Sequence, residues 1–375
     1  MRPSELPSPD PQALASSRAL LERIGAELRA CGNWMSFARY MELALYEPGL
    51  GYYASGARKL GAGGDFVTAP ELSPLFGRTI ARQLAQVLQP GDAILEFGAG
   101  SGALADVLTL EFPGLKYGIL ETSPELKQRQ QEKLGDRVQW LDRLPERFRG
   151  VMLANEVLDA MPVHALAWTR EGVLERGACA NEGQLAWCDR AADGLVLSES
   201  EKIKPELPPS GRYESELALA ARAWMRTLGQ CLERGAVLVI DYGFPAREYF
   251  HPQRSMGTLA CHYRHHMHGD PFYLPGLQDV TAHVDFSALA RSADEAGLEL
   301  LGYTSQAQFL INCGITDLLA AEDPADAKRY LPAAAAVQKL LSPAEMGELF
   351  KVLAVGKGIT EPLSGFSRGN RSAAL

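Results

Sequence analysis

The chain has 375 residues, 46% hydrophobic and 22% charged, enough apolar side chain for a large core and too little charge for a disordered chain. Lys and Arg number 37 against 46 Asp and Glu, a formal net charge of −9, which lacks the basic footprint of a general nucleic-acid binder. No apolar run approaches the roughly 18 residues of a membrane span.

Residues 1–12 are Pro- and Ser-rich and read as a disordered tail, with neither the apolar core of a signal peptide nor the acid-poor texture of a transit peptide. Helical periodicity runs from Leu14 to Leu28, and a second helix is expected from Ser36, an N-cap type, to Glu47-Pro48-Gly49. A Gly-rich stretch and GDFVTAPE follow, then a helix from Pro70-Glu71 to Leu88. From Asp92 short apolar runs alternate with helices. The runs are ILEF, KYGILE, RVQWLD and GVMLANE, a pattern of parallel β-α units and a doubly wound sheet.

The alternation breaks near Pro162. Turn signals at Arg170-Glu171-Gly172 and Asn181-Glu182-Gly183 predict an inserted antiparallel meander. Residues 192–212 read as a loop and 213–233 as a helix, before the buried strand AVLVIDYG. Residues 244–285 carry few regular patterns, and a loop of that length is usually functional. A helix at 286–296, the strand LELLGY, a helix at 306–321 and the strand FKVLAVGK complete the fold, and SGFSRGNRSAAL reads as a mobile tail. The predicted organisation is thus a helical and lid segment at 13–90, a core at 91–162 and a meander and loop at 163–212. The rest of the core follows at 213–360 with the loop 244–285, then a tail at 361–375.

The six cysteines form no C-x-x-C pair, and reduced thiols in a cytoplasmic protein are expected. Cys261, His262, His265, His266 and His268 crowd into CHYRHHMH, but their spacing is irregular and no second cluster completes a metal site, so none is expected. His283 and Asp285 read as an acid-base pair or an internal hydrogen bond.

ILEFGAGSG places Gly98, Gly100 and Gly102 between a strand and a helix, where bare backbone can turn sharply and approach a ligand. Glu121 ends the next strand about 20 residues on, where a carboxylate can accept both hydroxyls of an adenosine ribose. Read from Gly98 the cluster also matches G-x-G-x-x-A, so NAD, FAD or a structural turn compete with S-adenosylmethionine. Glu96, two residues before the first glycine, suits a cofactor with a cationic amino-acid end. Asp142 could bind an adenine amino group. Asn155 and Glu156 end a further strand at the edge where ligands sit.

With these residues in view the chain resembles the MidA family of S-adenosylmethionine-dependent methyltransferases, which includes a mitochondrial protein-arginine methyltransferase that assists respiratory complex I assembly. The resemblance rests on YMELALYEPGLGYY, GDFVTAPELSPLFG, ILEFGAGSG, ANEVLDAMPVH, VLVIDYG, GTLACHYRHH, LPGLQDVTAHVDFSAL and MGELFKVLAVGKG, which span Tyr40 to Gly358. It implies a Rossmann-like class I methyltransferase sheet, S-adenosylmethionine as donor and a protein arginine as acceptor, with a respiratory-chain subunit as the candidate acceptor protein. Glu156 is expected to grip the guanidinium, with Asp159 one turn further on as a second acid. Asp65 and Thr68 are expected near the methionine end of the cofactor, in a lid, or else in a turn and an N-cap. Asp241 and Tyr242 could line an acceptor pocket, or equally be buried strand-end structure. A scaffold that keeps the pocket without catalysis, and a methyltransferase for a small molecule or RNA, are the competing readings.

Overall fold

The computed structural model describes residues 6–55 and 67–375. It divides into two compact units. One comprises residues 59–158, 222–245 and 286–375, the other 1–58, 159–221 and 246–285. The loop 246–285 thereby groups with the N-terminal helices and the meander, not with the sheet core as expected, and residues 67–90 group with the core.

The first unit is built on seven strands: β1 Ala93–Phe97, β2 Lys116–Leu120, β3 Gln139–Leu141, β4 Phe148–Asn155, β5 Leu232–Phe244, β6 Glu299–Ser305 and β7 Phe350–Lys357. Their order is β3-β2-β1-β4-β5-β7-β6. Neighbours from β3 to β5 are parallel, and β7 runs antiparallel to both β5 and β6. Strand order reverses at β1, which pairs with β2 on one side and β4 on the other. At such a switch point the loops leave in opposite directions and open a crevice at the carboxyl ends.

The central strands are apolar on both faces because helices cover both. Ile94, Leu153, Leu238 and Val352 share a cluster with Ile80 of helix Pro74–Leu84 and Leu108 of helix Ala103–Glu111. On the other face Phe97 meets Trp224 of helix Leu219–Cys231 edge to face, centroids 5.1 Å apart. Each such aliphatic side chain contributes about 1.5–3 kcal/mol when buried.

Several expectations are corrected here. The helix expected from Pro70 to Leu88 is two, Ala69–Leu72 and Pro74–Leu84. Ser73 is extended between them (φ −162°, ψ 139°), because a residue before proline avoids the helical region. The helix expected at 306–321 is likewise broken, at Gly314 with φ +79°. Helix Ala327–Leu341, with Pro332 inside it, escaped the sequence reading. The C-terminal residues are not loose. Leu363 and Phe366 are buried, and Phe366 lies against Gly302, where a Cβ would stand 2.1 Å from its ring. Gly365 donates its N–H to Gln83 at 2.7 Å, and Arg371 pairs with Glu348.

The second unit holds a five-stranded antiparallel sheet. Strands run Met35–Ser36, Val173–Asn181, His164–Thr169, Arg212–Leu217, with Gln184–Ala191 also on Val173–Asn181. The meander is therefore as expected, but Arg212–Leu217 is a strand where a helix was predicted. The helix starts only at Leu219. The expected loop 192–212 contains helix Gly194–Ser200. Residues 6–10 are also held: Leu6 is buried and the Ser8 carbonyl accepts from Arg264 at 3.1 Å. The first helix, Pro11–Ala30, is capped by Asp10, and the second, Phe37–Tyr46, by Ser36.

CHYRHHMH is a hairpin, Ala260–Tyr263 against His266–His268, with positive φ at Arg264 and His265 in the tight turn. Among the described residues no group of three or more His, Cys, Asp or Glu could hold a metal ion, and no helix is long and apolar enough to cross a membrane. Cys179 and Cys188 are joined by a disulfide across the long hairpin, Cα atoms 5.9 Å apart, which corrects the expectation of reduced thiols for this pair. Closing a loop this short limits the unfolded chain, so Cys179→Ser should cost about 2–3 kcal/mol in the oxidised protein. Thermal melts with and without reductant check this: the variant and the parent should melt together once the parent is reduced.

Candidate cofactor and acceptor site

Every element of the candidate site described here belongs to the seven-stranded unit. β1 ends at Phe97 and the chain turns through Gly98, Gly100 and Gly102, with φ of +57°, +55° and +69°. Only glycine adopts this left-handed region without strain. Gly98 donates to the Leu120 carbonyl at 2.9 Å and Gly102 to Ala99 at 2.8 Å. A Cβ on Gly98 would stand 3.3 Å from Val157, so the backbone is bare where the crevice opens.

Glu121 follows β2 at the same edge. One carboxylate oxygen accepts the Ser123 N–H at 3.0 Å and the other accepts Gln130 Nε2 at 2.9 Å. The same Gln130 nitrogen donates to the Gly100 carbonyl at 2.9 Å. The glycine turn and Glu121 are thus tied together by one side chain. Burial raises the Glu121 carboxyl above its ordinary value, while the bonds from Ser123 and Gln130 work the other way.

Glu96 lies in β1 under the turn and is 3% exposed. Tyr117 of β2 donates its hydroxyl to it at 2.7 Å. Burial lifts this carboxyl to about 7, opposed by the Tyr117 bond and helped by the charge of Glu121. Asp142, after β3, is placed quite differently. Its side chain is 91% exposed and pairs with Lys127 at 3.0 Å. The structure therefore does not gather Asp142 with the other acids.

β4 ends at Asn155, and Glu156 follows it. Glu156 has φ +56°, a conformation a side-chain-bearing residue adopts only at a cost. Three contacts hold it there. Its N–H donates to the Ile240 carbonyl of β5 at 2.9 Å. Its Oε1 accepts the Ala69 N–H at 3.3 Å and Asn155 Nδ2 at 3.1 Å. The other end of the Asn155 amide, Oδ1, is buried without a hydrogen-bond partner. Burial pushes the Glu156 carboxyl up to about 8. The Ala69 N–H opposes this, Asp241 adds repulsion, the Asn155 bond opposes again, and Glu71 adds further repulsion.

Asp241 of β5 is fully buried and shapes this turn. Its Oδ2 accepts Val157 N–H at 3.2 Å and Leu158 N–H at 2.8 Å, and its Oδ1 accepts its neighbour Tyr242 N–H at 2.9 Å. Thr68 stands next to the Ala69 amide that reaches Glu156. Its own N–H and hydroxyl point to Glu71, at 3.1 and 3.4 Å, which is the N-capping reading of GDFVTAPE. Asp65, expected beside it, lies outside the described residues. Asp159 belongs to the other unit, where it is buried and its carbonyl accepts Ala282 N–H at 2.9 Å. His283 also belongs there, its N–H on the Thr258 hydroxyl at 3.0 Å.

Two contributors escaped the sequence reading. Gln130 sits inside PELKQRQQEKL, where nothing separates it from the exposed polar residues around it. Tyr117 lies in KYGILE, and only its diagonal place beside Glu96 in the sheet reveals its hydroxyl's partner.

Comparison with known proteins gives a consistent picture. A protein-family profile described as "Putative S-adenosyl-L-methionine-dependent methyltransferase" matches residues 75–304. The zebrafish (Danio rerio) mitochondrial protein arginine methyltransferase NDUFAF7 is 30% identical, over 90% of this chain and 87% of that protein. The Drosophila melanogaster homologue is 27% identical over 97% and 92%. A Burkholderia thailandensis protein solved bound to S-adenosyl-homocysteine is 51% identical and superposes with a TM-score of 0.94, covering 99% of this chain and 100% of that one.

Proposed function

The chain belongs to this family of S-adenosyl-L-methionine-dependent methyltransferases, and from that premise we propose that it methylates an arginine side chain of a protein. The residues present fit the cofactor. Glu121 offers a held carboxylate to a ribose, the bare turn Gly98–Gly102 leaves room beside it, and Glu96 lies beneath that turn as a buried carboxyl whose elevated value a cationic ligand end would lower. When bound, S-adenosyl-L-methionine supplies a methyl group on a sulfonium, open to in-line attack by a nitrogen lone pair. NAD and FAD, the rival cofactors of the glycine motif, drop out with the family assignment.

The observation that carries the arginine reading is Glu156. A guanidinium is planar, fully charged and a poor nucleophile, because its lone pairs are delocalised. A carboxylate that grips two of its N–H groups fixes its plane and draws positive charge toward the gripped side. Glu156 provides that carboxylate at a strand end, in a strained conformation that three bonds maintain. Its elevated carboxyl also suits it to take up the proton the nitrogen sheds on methylation. The adjacent Asn155 Oδ1 is a ready acceptor for a further N–H. That the NDUFAF7 proteins are named as arginine methyltransferases supports the same acceptor, and, following the family resemblance alone, a respiratory-chain subunit is the class of protein we propose.

Mass spectrometry of proteome arginine methylation with and without this gene tests the reading. Loss of methylation at one or a few arginines is the expected result. An unchanged arginine methylome, with cofactor binding intact in calorimetry, would leave the scaffold or small-molecule readings in its place.

A further inference from the structure

We infer that Gln130 is the positioning residue of the cofactor site: its amide locks the ribose-binding carboxylate of Glu121 to the glycine turn, and so sets the preference for a ribose over a deoxyribose. The inference rests on the cofactor reading given above and deepens it.

Gln130 is fully buried on helix Pro124–Leu134. Its Nε2 uses both hydrogens, one on the Gly100 carbonyl and one on Glu121 Oε2, each at 2.9 Å. Its Oε1 accepts the Trp140 indole N–H at 3.0 Å. This last bond fixes the amide's orientation. An indole nitrogen can only donate, so it must face the amide oxygen, and the carbonyl and carboxylate must then face the NH2. Flipping the amide would break all three bonds at once.

The stem of the side chain contributes as well. Its Cγ lies 3.6 Å from where a Cβ on Gly102 would stand, with Leu134 at 3.1 Å. One residue thereby backs the turn, holds the Gly100 carbonyl and aims Glu121. With one carboxylate oxygen on the Ser123 N–H and the other on Gln130, the plane of the carboxylate is set before a ligand arrives. A fixed carboxylate can accept two vicinal hydroxyls at no further ordering cost, which is the origin of the ribose preference.

The test is calorimetric titration of the full chain with S-adenosyl-homocysteine and with its 2′-deoxyribose analogue, in wild type, Gln130→Met and Gln130→Glu, each checked by thermal melt. Wild type should prefer the ribose compound. Gln130→Met removes the charged hydrogen bond at similar volume and should weaken the ribose compound about 10- to 100-fold while barely changing the analogue. Gln130→Glu keeps the Trp140 bond but sets two carboxyls together, so its affinity should recover as pH falls and the pair takes up a shared proton, whereas wild type, with no second carboxyl against Glu121, should show no such recovery.

A merely structural residue would weaken both compounds by the same factor and show no pH-dependent rescue. That result overturns the inference, as does an unchanged ribose preference in Gln130→Met. Absence of binding of either compound to wild type would instead strike the cofactor reading itself, and the inference with it.

Discussion

Glu156→Gln should lower the methyl-transfer rate about 10³-fold and leave the affinity for S-adenosyl-homocysteine within about twofold, since general-base and charge-stabilising groups are worth about 10²–10⁴. Glutamine keeps the shape and can keep the Ala69 N–H bond, but it cannot accept a proton or neutralise a guanidinium. The pH profile supplies the second readout. The carboxyl loses its proton near pH 8 in the free protein, and only the anion grips a cation. kcat/KM should therefore rise through about pH 8 in wild type, and this inflection should be absent from the variant. Stability should move in the opposite direction. A carboxyl whose folded value lies above its unfolded one favours the fold at low pH, and that contribution is lost as pH rises from about 4.5 to about 8. The variant escapes this loss and should melt about 2–4 °C higher at pH 8.5, with no gain at pH 4. A rate close to wild type would remove Glu156 from the mechanism.

Asp241→Ala should cost about 3–5 kcal/mol of stability and most of the activity, because it strips the acceptor from three backbone N–H groups in a buried setting. Val157, Leu158 and Tyr242 would each lose a carboxylate oxygen of Asp241, and the first two follow directly on the strained Glu156. Without them the segment that follows Glu156 loses its anchor and only the three contacts of Glu156 itself hold φ at +56°, so the loss in rate should exceed what the fraction unfolded explains. Asp241→Asn separates the two effects. It keeps an oxygen for Val157 and Leu158 but removes the charge that repels Glu156. The expected result is a folded, active protein whose pH inflection has moved below that of wild type. An inflection that stays in place would show that Asp241 acts on the backbone alone.

Much of the first unit was legible because parallel strands advertise themselves. ILEF, KYGILE and GVMLA are short apolar runs, and a strand covered on both faces must be apolar on both. The three glycines were legible for a related reason: left-handed backbone at successive alternate positions admits little else. The acids at strand ends followed from the rule that ligands gather at carboxyl edges. What went wrong was short-range. Arg212–Leu217 alternates weakly, and its pairing with His164–Thr169 comes from far along the chain, so locally it reads as the start of the helix that follows. Asp142 sits at the right kind of position, yet the outcome depended on Lys127 one element earlier. The C-terminal tail looked loose because its anchors, Gln83 and Gly302, are remote in sequence.

By itself the sequence determined the alternation of strands and helices, the glycine turn and the acids that follow strands. These depend on local backbone chemistry and on the periodicity with which side chains meet a core. Only the tertiary structure decided which of those acids are aimed and by what. Gln130 reaches across from a helix, Tyr117 and Asp241 come from neighbouring strands, and Ala69 lends an amide from far upstream. Hydrogen bonds of about 3 Å between side chains and backbone of different elements leave no periodic trace in a chain, so orientation within the site emerges only once the sheet has assembled.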